Sequence, residues 1–189
     1  MSKLTNIQIP KLDTSSLIPE IRIEGKWKEA TILIDNIEPI ILKSYNKAVK
    51  SFSKEIIGIV KHCIINGIPP KGVHWAKHSP LTIKRYGEHP LLNLSGKYAR
   101  VIGIYKYNKR TYIGVPLNLK LGGKKKLTMG ALARILEYGS NDGKIPGRPL
   151  WAPTLKMVGG KKKIAELIKT NIRKEIISIT GLNANQIRW

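Results

Sequence analysis

The sequence has few of the residues on which most enzyme sites depend. It contains one cysteine, four histidines and 12 acidic residues in a chain of 189. The single Cys63 excludes an intramolecular disulfide, which agrees with a reducing compartment. The histidines are His62, His74, His78 and His89, and no zincin pattern accompanies them. No pair of carboxylates stands at a plausible catalytic spacing. We therefore expect no metal site, no cofactor and no enzymatic activity.

Motifs of nucleophilic and phosphate chemistry are also lacking. The sequence has no Gly-x-Ser-x-Gly elbow, and Cys63 lies on an apolar helical stripe, where a small core residue is expected. The run "GGKKKLT" lacks the Gly-x-x-x-x-Gly-Lys spacing of a phosphate-binding loop. No apolar run approaches the roughly 18 residues of a membrane span, and the first residues have no signal-peptide character. These features predict a cytoplasmic product without a membrane partner.

The small number of acids leaves a large positive charge, which is unevenly distributed. Lysine and arginine number 34, so the formal net charge is +22. From residue 56 to residue 136 the only acid is Glu88. Such a field favours an anionic partner, either nucleic acid or an acidic protein surface. The alternative is a solvated basic face in a chain rich in Ile, Lys and Asn.

Hydrophobic periodicity predicts an α+β domain with a long N-terminal amphipathic helix. Residues 1–24 form an N-terminal arm with one short strand at 20–24, and residues 25–189 form a single domain. Helical spacing begins near Trp27, and Pro39 is expected to interrupt it and open a second helix. That helix runs to about Asn66, where Gly67 closes it.

The second half of the chain predicts a small antiparallel sheet and two helices. Residues 71–97 look irregular, and two Ile/Val/Tyr-rich runs around "YNKR" indicate a β-hairpin. A short helix follows in "LTMGALARILEYG", with Thr128 as its cap and Gly139 at its end. An amphipathic helix from about Ile164 to Gly181 closes the chain.

A proline-rich clamp lies between these two helices, in "GSNDGKIPGRPLWAP". Pro149 restricts Arg148 to an extended conformation, and neighbouring prolines lower the entropy lost on docking. A stiff segment that presents Arg and Trp suits a protein interface. The predicted interface residues are Arg148, Pro149, Leu150 and Trp151. The alternative is that Trp151 fills the core of its own domain.

Two lysine triplets form a near-repeat, "GGKKK", and each precedes or opens a predicted helix. Cations at the positive end of a helix dipole are unfavourable, whereas lysines beside free backbone N–H groups suit an anion. The predicted anion-binding residues are Lys124, Lys125, Lys126, Lys161, Lys162 and Lys163. The alternative is a pair of solvated lysine loops.

Two blocks of the sequence resemble a known family. The stretches "WAKHSPLTIKRYGEHPLLNLSGKYARVI" and "ARILEYGSNDGKIPGRPLWAP" are similar to the bacteriophage neck and tail-completion proteins, the Mu-type virion morphogenesis family. The resemblance covers about residues 26–180. Leu150-Trp151 departs from the family's more usual single Phe, and Gly147 before Arg148 is a second departure.

The resemblance implies a structural protein of the virion neck or tail junction. It implies a homo-oligomeric ring that joins head and tail around the DNA channel and contacts portal or adaptor proteins and tail proteins. Such a ring is assembled in the host cytoplasm, and the genome in passage is a further anionic contact. The rival expectation is a basic nucleic-acid-binding module, although aromatic residues make up only 6% of the chain.

Overall fold

A computed structural model describes residues 7–8, 20–21, 27–107, 110–121 and 127–188, which are called the described residues below. In chain order the elements are β1 (Ile7–Gln8), β2 (Glu20–Ile21), α1 (Trp27–Asn66), α2 (Pro80–Tyr86), α3 (Lys97–Arg100), β3 (Gly103–Tyr107), β4 (Arg110–Gly114), α4 (Met129–Tyr138), α5 (Trp151–Met157), α6 (Gly160–Thr180) and β5 (Ile187–Arg188). Long helices combined with small antiparallel sheets confirm the predicted α+β class.

The strands form two small antiparallel sheets. β3 and β4 pair as the predicted hairpin, with Tyr105 opposite Tyr112, and β1 adds to the other edge of β4. β2 pairs with β5 at the end of the chain. The strand predicted at 20–24 is therefore confirmed at Glu20–Ile21, and the rest of the predicted arm, except β1, lies outside the described residues.

The chain divides into two compact units. The first contains residues 1–9 and 53–158, and the second contains residues 10–52 and 159–189. The clamp and the cavity beside it lie in the first unit, and Lys161, Lys162 and Lys163 lie in the second. The predicted single domain over 25–189 stays a prediction.

Pro39 lies inside α1 and does not end it, so the predicted interruption is wrong. A proline within a helix removes one N–H donor and crowds the carbonyl four residues earlier, at a cost of about 3 kcal/mol. Leu33 and Ile40 are buried on either side of Pro39. Packing of these neighbours holds the helix together where local propensity alone would break it.

The second unit is built on an apolar stripe of α6. Ile164, Ile168, Ile172 and Ile176 follow one another at intervals of four and are all buried. Nearby, Glu175 accepts hydrogen bonds from the Nζ atoms of two lysines of α1, Lys43 at 2.7 Å and Lys47 at 2.5 Å. These donors hold the pKa of Glu175 below its ordinary value.

The first unit has a core assembled from distant parts of the sequence. Its fully buried side chains come from the second half of α1, the hairpin, α4 and the clamp: Ile56, Val60, Ile64, Ile113, Met129 and Leu150. Cys63 is buried beside them and is a free thiol, which confirms the predicted role as a small core residue. α4 also begins and ends as predicted, since the Thr128 hydroxyl accepts from Ala131 N and Gly139 follows the last turn.

The prediction that residues 71–97 are irregular is wrong, and a further short helix, α5, lies where no helix is predicted. Residues 71–97 contain α2, which Ser79 caps by accepting a hydrogen bond from Thr82 N at 3.2 Å, with Pro80 at the first helical position. The clamp ends in a helix, because α5 begins at Trp151. Pro153 lies in the first turn of α5, where its missing N–H needs no intrahelical partner.

Candidate functional site

The clamp begins with a turn that returns the chain closely against the end of α4. Gly139 has a φ of 88°, which favours glycine, and a Cβ there would lie 2.8 Å from Ile145 O. A Cβ on Gly147 would lie 2.8 Å from the carbonyl carbon of Tyr138. Arg148 N then donates to Leu136 O at 2.7 Å. Two glycines are needed because backbone packs directly on backbone.

A buried carboxylate caps the helix that follows. Leu150 N donates to Glu137 Oε2 at 2.8 Å and Trp151 N donates to Glu137 Oε1 at 3.2 Å. Leu150 stands at the cap position of α5 without a side-chain bond of its own, so Glu137 supplies the acceptor from α4. Burial raises the pKa of Glu137, and the backbone N–H groups of Leu150, Trp151 and Ala152 oppose that rise.

Arg148 fastens the clamp to the segment before α2. Its Nε donates to Ala76 O at 3.1 Å and its Nη2 to Lys77 O at 3.4 Å. In the opposite direction, Trp75 Nε1 donates to Pro149 O at 3.0 Å. Arg148 is only 7% exposed, and burial lowers the pKa of its guanidinium. Among the described residues it forms no ion pair.

The four predicted interface residues therefore face inwards. Leu150 and Trp151 are 1% and 4% exposed, Arg148 is buried, and Pro149 is half-buried. Trp151 is buried at the first residue of α5. The buried phenol of Tyr98 lies nearby, and burial raises its pKa to about 12. The structure does not present these side chains to a partner, and it favours the alternative of a core role.

An open cavity of about 620 Å³ lies beside the clamp. Its walls are the segment from Lys77 to Tyr98 on one side, and α4 with the clamp on the other. Apolar side chains form much of the lining: Leu92, Leu94, Leu121, Met129, Leu132, Leu136 and Ile145. Four cationic side chains also line it: Lys77, Lys97, Lys144 and Arg148. The described lining contains no aspartate or glutamate.

Two histidines lie at one side of the cavity. The rings of His78 and His89 are 4.2 Å apart between centroids, and His78 Nε2 lies 3.2 Å from His89 O. Burial lowers the pKa of His78, as do the charges of His89 and Arg148. No group of three or more potential metal ligands exists in the part of the chain that the structure describes. The pair therefore has the geometry of a packing contact.

α2 forms a wall of the cavity and has no buried residue. Leu81 is 65% exposed and Tyr86 is 53% exposed. Leu94, which follows α2 and also lines the cavity, is exposed as well. Apolar side chains of α2 and of the segment after it are therefore exposed to solvent.

Only one of the two lysine triplets lies within the described residues. Lys161, Lys162 and Lys163 lie in the first turn of α6, which has no acid there, so their predicted place at a helix start is confirmed. Lys161 and Lys162 are exposed. Lys124, Lys125 and Lys126 lie outside the described residues. Anion binding at either triplet stays a prediction.

Sequence reasoning missed Glu137 and the histidine pair. Glu137 left a signal, because it is the only acid between Glu88 and Asp142 and it stands in a helix with a single other charged residue, Arg134. A carboxylate that is buried in a helix needs hydrogen-bond donors, and the backbone N–H groups of Leu150 and Trp151 in the clamp supply them. His78 and His89 left no comparable signal, since their contact depends on how the segment around α2 folds.

Comparison of the chain with protein-family models, with curated proteins and with solved structures finds no match. Among the helices of the described residues, none has the length and apolar character to cross a membrane.

Proposed function

We propose that the chain is a structural protein of the phage head–tail connection, a neck or tail-completion component that assembles into a homo-oligomeric ring in the host cytoplasm and remains in the virion. Its partners are other copies of the chain, portal or adaptor proteins and tail proteins. The resemblance of the two sequence blocks motivates this role, and it requires no catalysis.

The observation that carries the proposal is the exposed apolar surface of α2 in the first unit. Leu81 and Tyr86 face solvent on a helix with no buried residue. Clustered apolar side chains on a surface mark contacts with other macromolecules, because leaving them in water has a cost that association removes. A protein whose function is assembly needs such a surface.

The clamp supports this role indirectly. Arg148 binds the carbonyls of residues 76 and 77, directly before the cap of α2. The clamp therefore fixes the base from which α2 projects. We infer that Arg148 positions the contact surface without forming it.

A substitution on α2 tests the assembly surface. Leu81→Asp places a charge on the exposed surface of α2 and is expected to abolish oligomers in light scattering while leaving the melting temperature nearly unchanged. Lys84→Asp is the matched control, because Lys84 is also exposed on α2. Oligomers that survive Leu81→Asp, or that Lys84→Asp disrupts equally, would rule out the α2 surface.

The second candidate is a basic nucleic-acid-binding module, favoured by the net charge of +22. Duplex binding through phosphate contacts weakens with salt, with a log–log slope of about −0.9 per contact. Replacing Lys124, Lys125 and Lys126 with Gln would flatten that slope if the first triplet meets DNA. An unchanged slope would exclude DNA as the partner of that triplet.

A further inference from the structure

The cavity of the first unit carries positive charge that no described acid neutralises. Of its four cations, Lys144 pairs with Asp142 at 3.4 Å. Lys77, Lys97 and Arg148 make no ion pair with a described residue. An anionic ligand would be attracted to this position by all three charges.

Arg148 is a stronger reason to expect an anionic ligand in the cavity than the exposed side chains of Lys77 and Lys97. A guanidinium has five N–H donors, and among the described residues only two donate, one from Nε and one from Nη2. Arg148 is also buried, with only 7% of the residue exposed. A buried cation without an anion is costly, so an arriving carboxylate would gain from a charge whose desolvation folding has already imposed.

A second buried polar group in the lining of the cavity, the side-chain oxygen of Asn93, lacks a hydrogen-bond donor among the described residues. Asn93 Oδ1 is buried and has no hydrogen-bond partner in the described chain. Asn93 Nδ2 lies 3.5 Å from Ile65 O, which orients the amide with its oxygen as the free acceptor. A peptide N–H satisfies an acceptor of this kind, whereas a fully ionised phosphate has no donor to offer.

The remaining walls suit an apolar side chain. Leu132 and Leu136 of α4 face the cavity together with Ile145 of the clamp. At its mouth Tyr86 and Leu94 are 53% and 55% exposed. A ligand with an anionic group, an N–H donor and an apolar side chain would match every part of this lining.

We propose that the cavity binds an acidic, apolar segment of a partner protein, in which an aspartate or glutamate lies next to a large apolar residue. The carboxylate is received by Arg148, Lys97 and Lys77, a backbone N–H by Asn93, and the apolar side chain by the wall of α4. This inference specifies the partner of the assembly role proposed above and rests on that role for the partner being a protein.

Titration of the full-length chain with a defined peptide tests the inference. The probe is the blocked pentapeptide Ala-Leu-Glu-Phe-Ala, and its comparison is the same peptide with Gln in place of Glu. Loss of a charge-assisted contact is expected to weaken binding by about tenfold or more. In NMR spectra of the amide-labelled protein, the side-chain amide of Asn93 should shift on binding.

Variants of two exposed lysines distinguish peptide binding in the cavity from non-specific attraction to the net positive charge of the protein. Lys97→Glu should weaken binding of the Glu peptide by about tenfold or more. Lys106→Glu is the matched control, because Lys106 is exposed on β3 and does not line the cavity, and it should change binding less than about twofold. Arg148→Gln is less suitable because it would also loosen the clamp.

Three results would overturn the inference. One is no saturable binding of the Glu peptide at millimolar concentration. Another is an equal loss from Lys97→Glu and Lys106→Glu. The third is displacement of the peptide by inorganic phosphate at matching concentration without a shift at Asn93, which would make the cavity a phosphate site. The peptide assay uses the isolated chain, so binding without incorporation into particles would contradict the virion role and leave the cavity assignment standing.

Discussion

The carboxylate of Glu137 on α4 accepts the backbone N–H of Trp151, at 3.2 Å from Oε1 and 3.3 Å from Oε2, and thereby caps a helix that begins 14 residues later. This contact joins the two ends of the clamp. It gives a buried carboxylate the donors that it requires, and it gives α5 the acceptor that its own cap residue does not supply.

Removal of this carboxylate should destabilise the protein. Glu137→Ala leaves the N–H groups of Leu150 and Trp151 without an acceptor, and we expect a loss of about 2–3 kcal/mol in the free energy of unfolding. Glu137→Gln keeps one oxygen and should lose less. Denaturant titration checks both variants. Wild-type stability in Glu137→Ala would show that the contact contributes nothing.

Trp151→Ala should lower stability more strongly. Truncating a buried aromatic side chain costs about 3–5 kcal/mol. Trp27→Ala is the matched control, because Trp27 is 80% exposed and its loss should change stability by less than about 0.5 kcal/mol. The measurement is thermal or denaturant unfolding of both variants. Similar effects at the two tryptophans would contradict the buried placement of Trp151.

The same substitution at two glycines should have opposite effects. At Gly147 a Cβ meets backbone atoms of Tyr138 and Glu137 at 2.8 and 3.1 Å, and Gly147→Ala should cost about 1–3 kcal/mol. At Gly58, inside α1, a Cβ meets nothing within 4 Å, and Gly58→Ala should stabilise by about 0.5–1 kcal/mol. Unfolding measurements would contradict the close packing of the clamp if Gly147→Ala were neutral.

Stability should fall as His78 becomes protonated. Because the pKa of His78 is lowered in the fold, the unfolded chain takes up a proton first, starting near the ordinary value of about 6.5. The contribution of neutral His78 is therefore present above that pH and is lost as the pH falls towards the lowered pKa. His78→Gln should reduce this dependence between pH 7.5 and 5.5, whereas His74→Gln, at an exposed position, should not. An identical pH dependence in both variants would contradict the assignment.

The elements that the sequence predicts are those with local signals. Thr128 and Gly139 bound α4, and the alternating residues around "YNKR" form the hairpin. Ser79 and Pro80 are also a local signal for α2, but this helix has no buried residue and therefore lacks the apolar stripe by which the longer helices are predicted.

The clamp and the cavity depend on contacts between distant residues. Pro153 suits the first turn of a helix, but the residue at the cap position of α5, Leu150, gives no signal, because the cap comes from Glu137. The burial of Arg148 depends on carbonyls of residues 76 and 77. A stiff segment with Arg and Trp is compatible with an interface and with a core, and only the fold distinguishes these placements. The continuity of α1 through Pro39 is decided in the same way, by tertiary packing.

The central claim is that the chain is a structural component of the head–tail connection. Cryo-electron microscopy of purified particles, combined with mass spectrometry of their proteins, tests it most directly. We expect density for a closed ring of this chain at the portal–tail junction, with α2 in a contact between subunits or with a neighbouring protein. Absence of the chain from complete, infectious particles would contradict it.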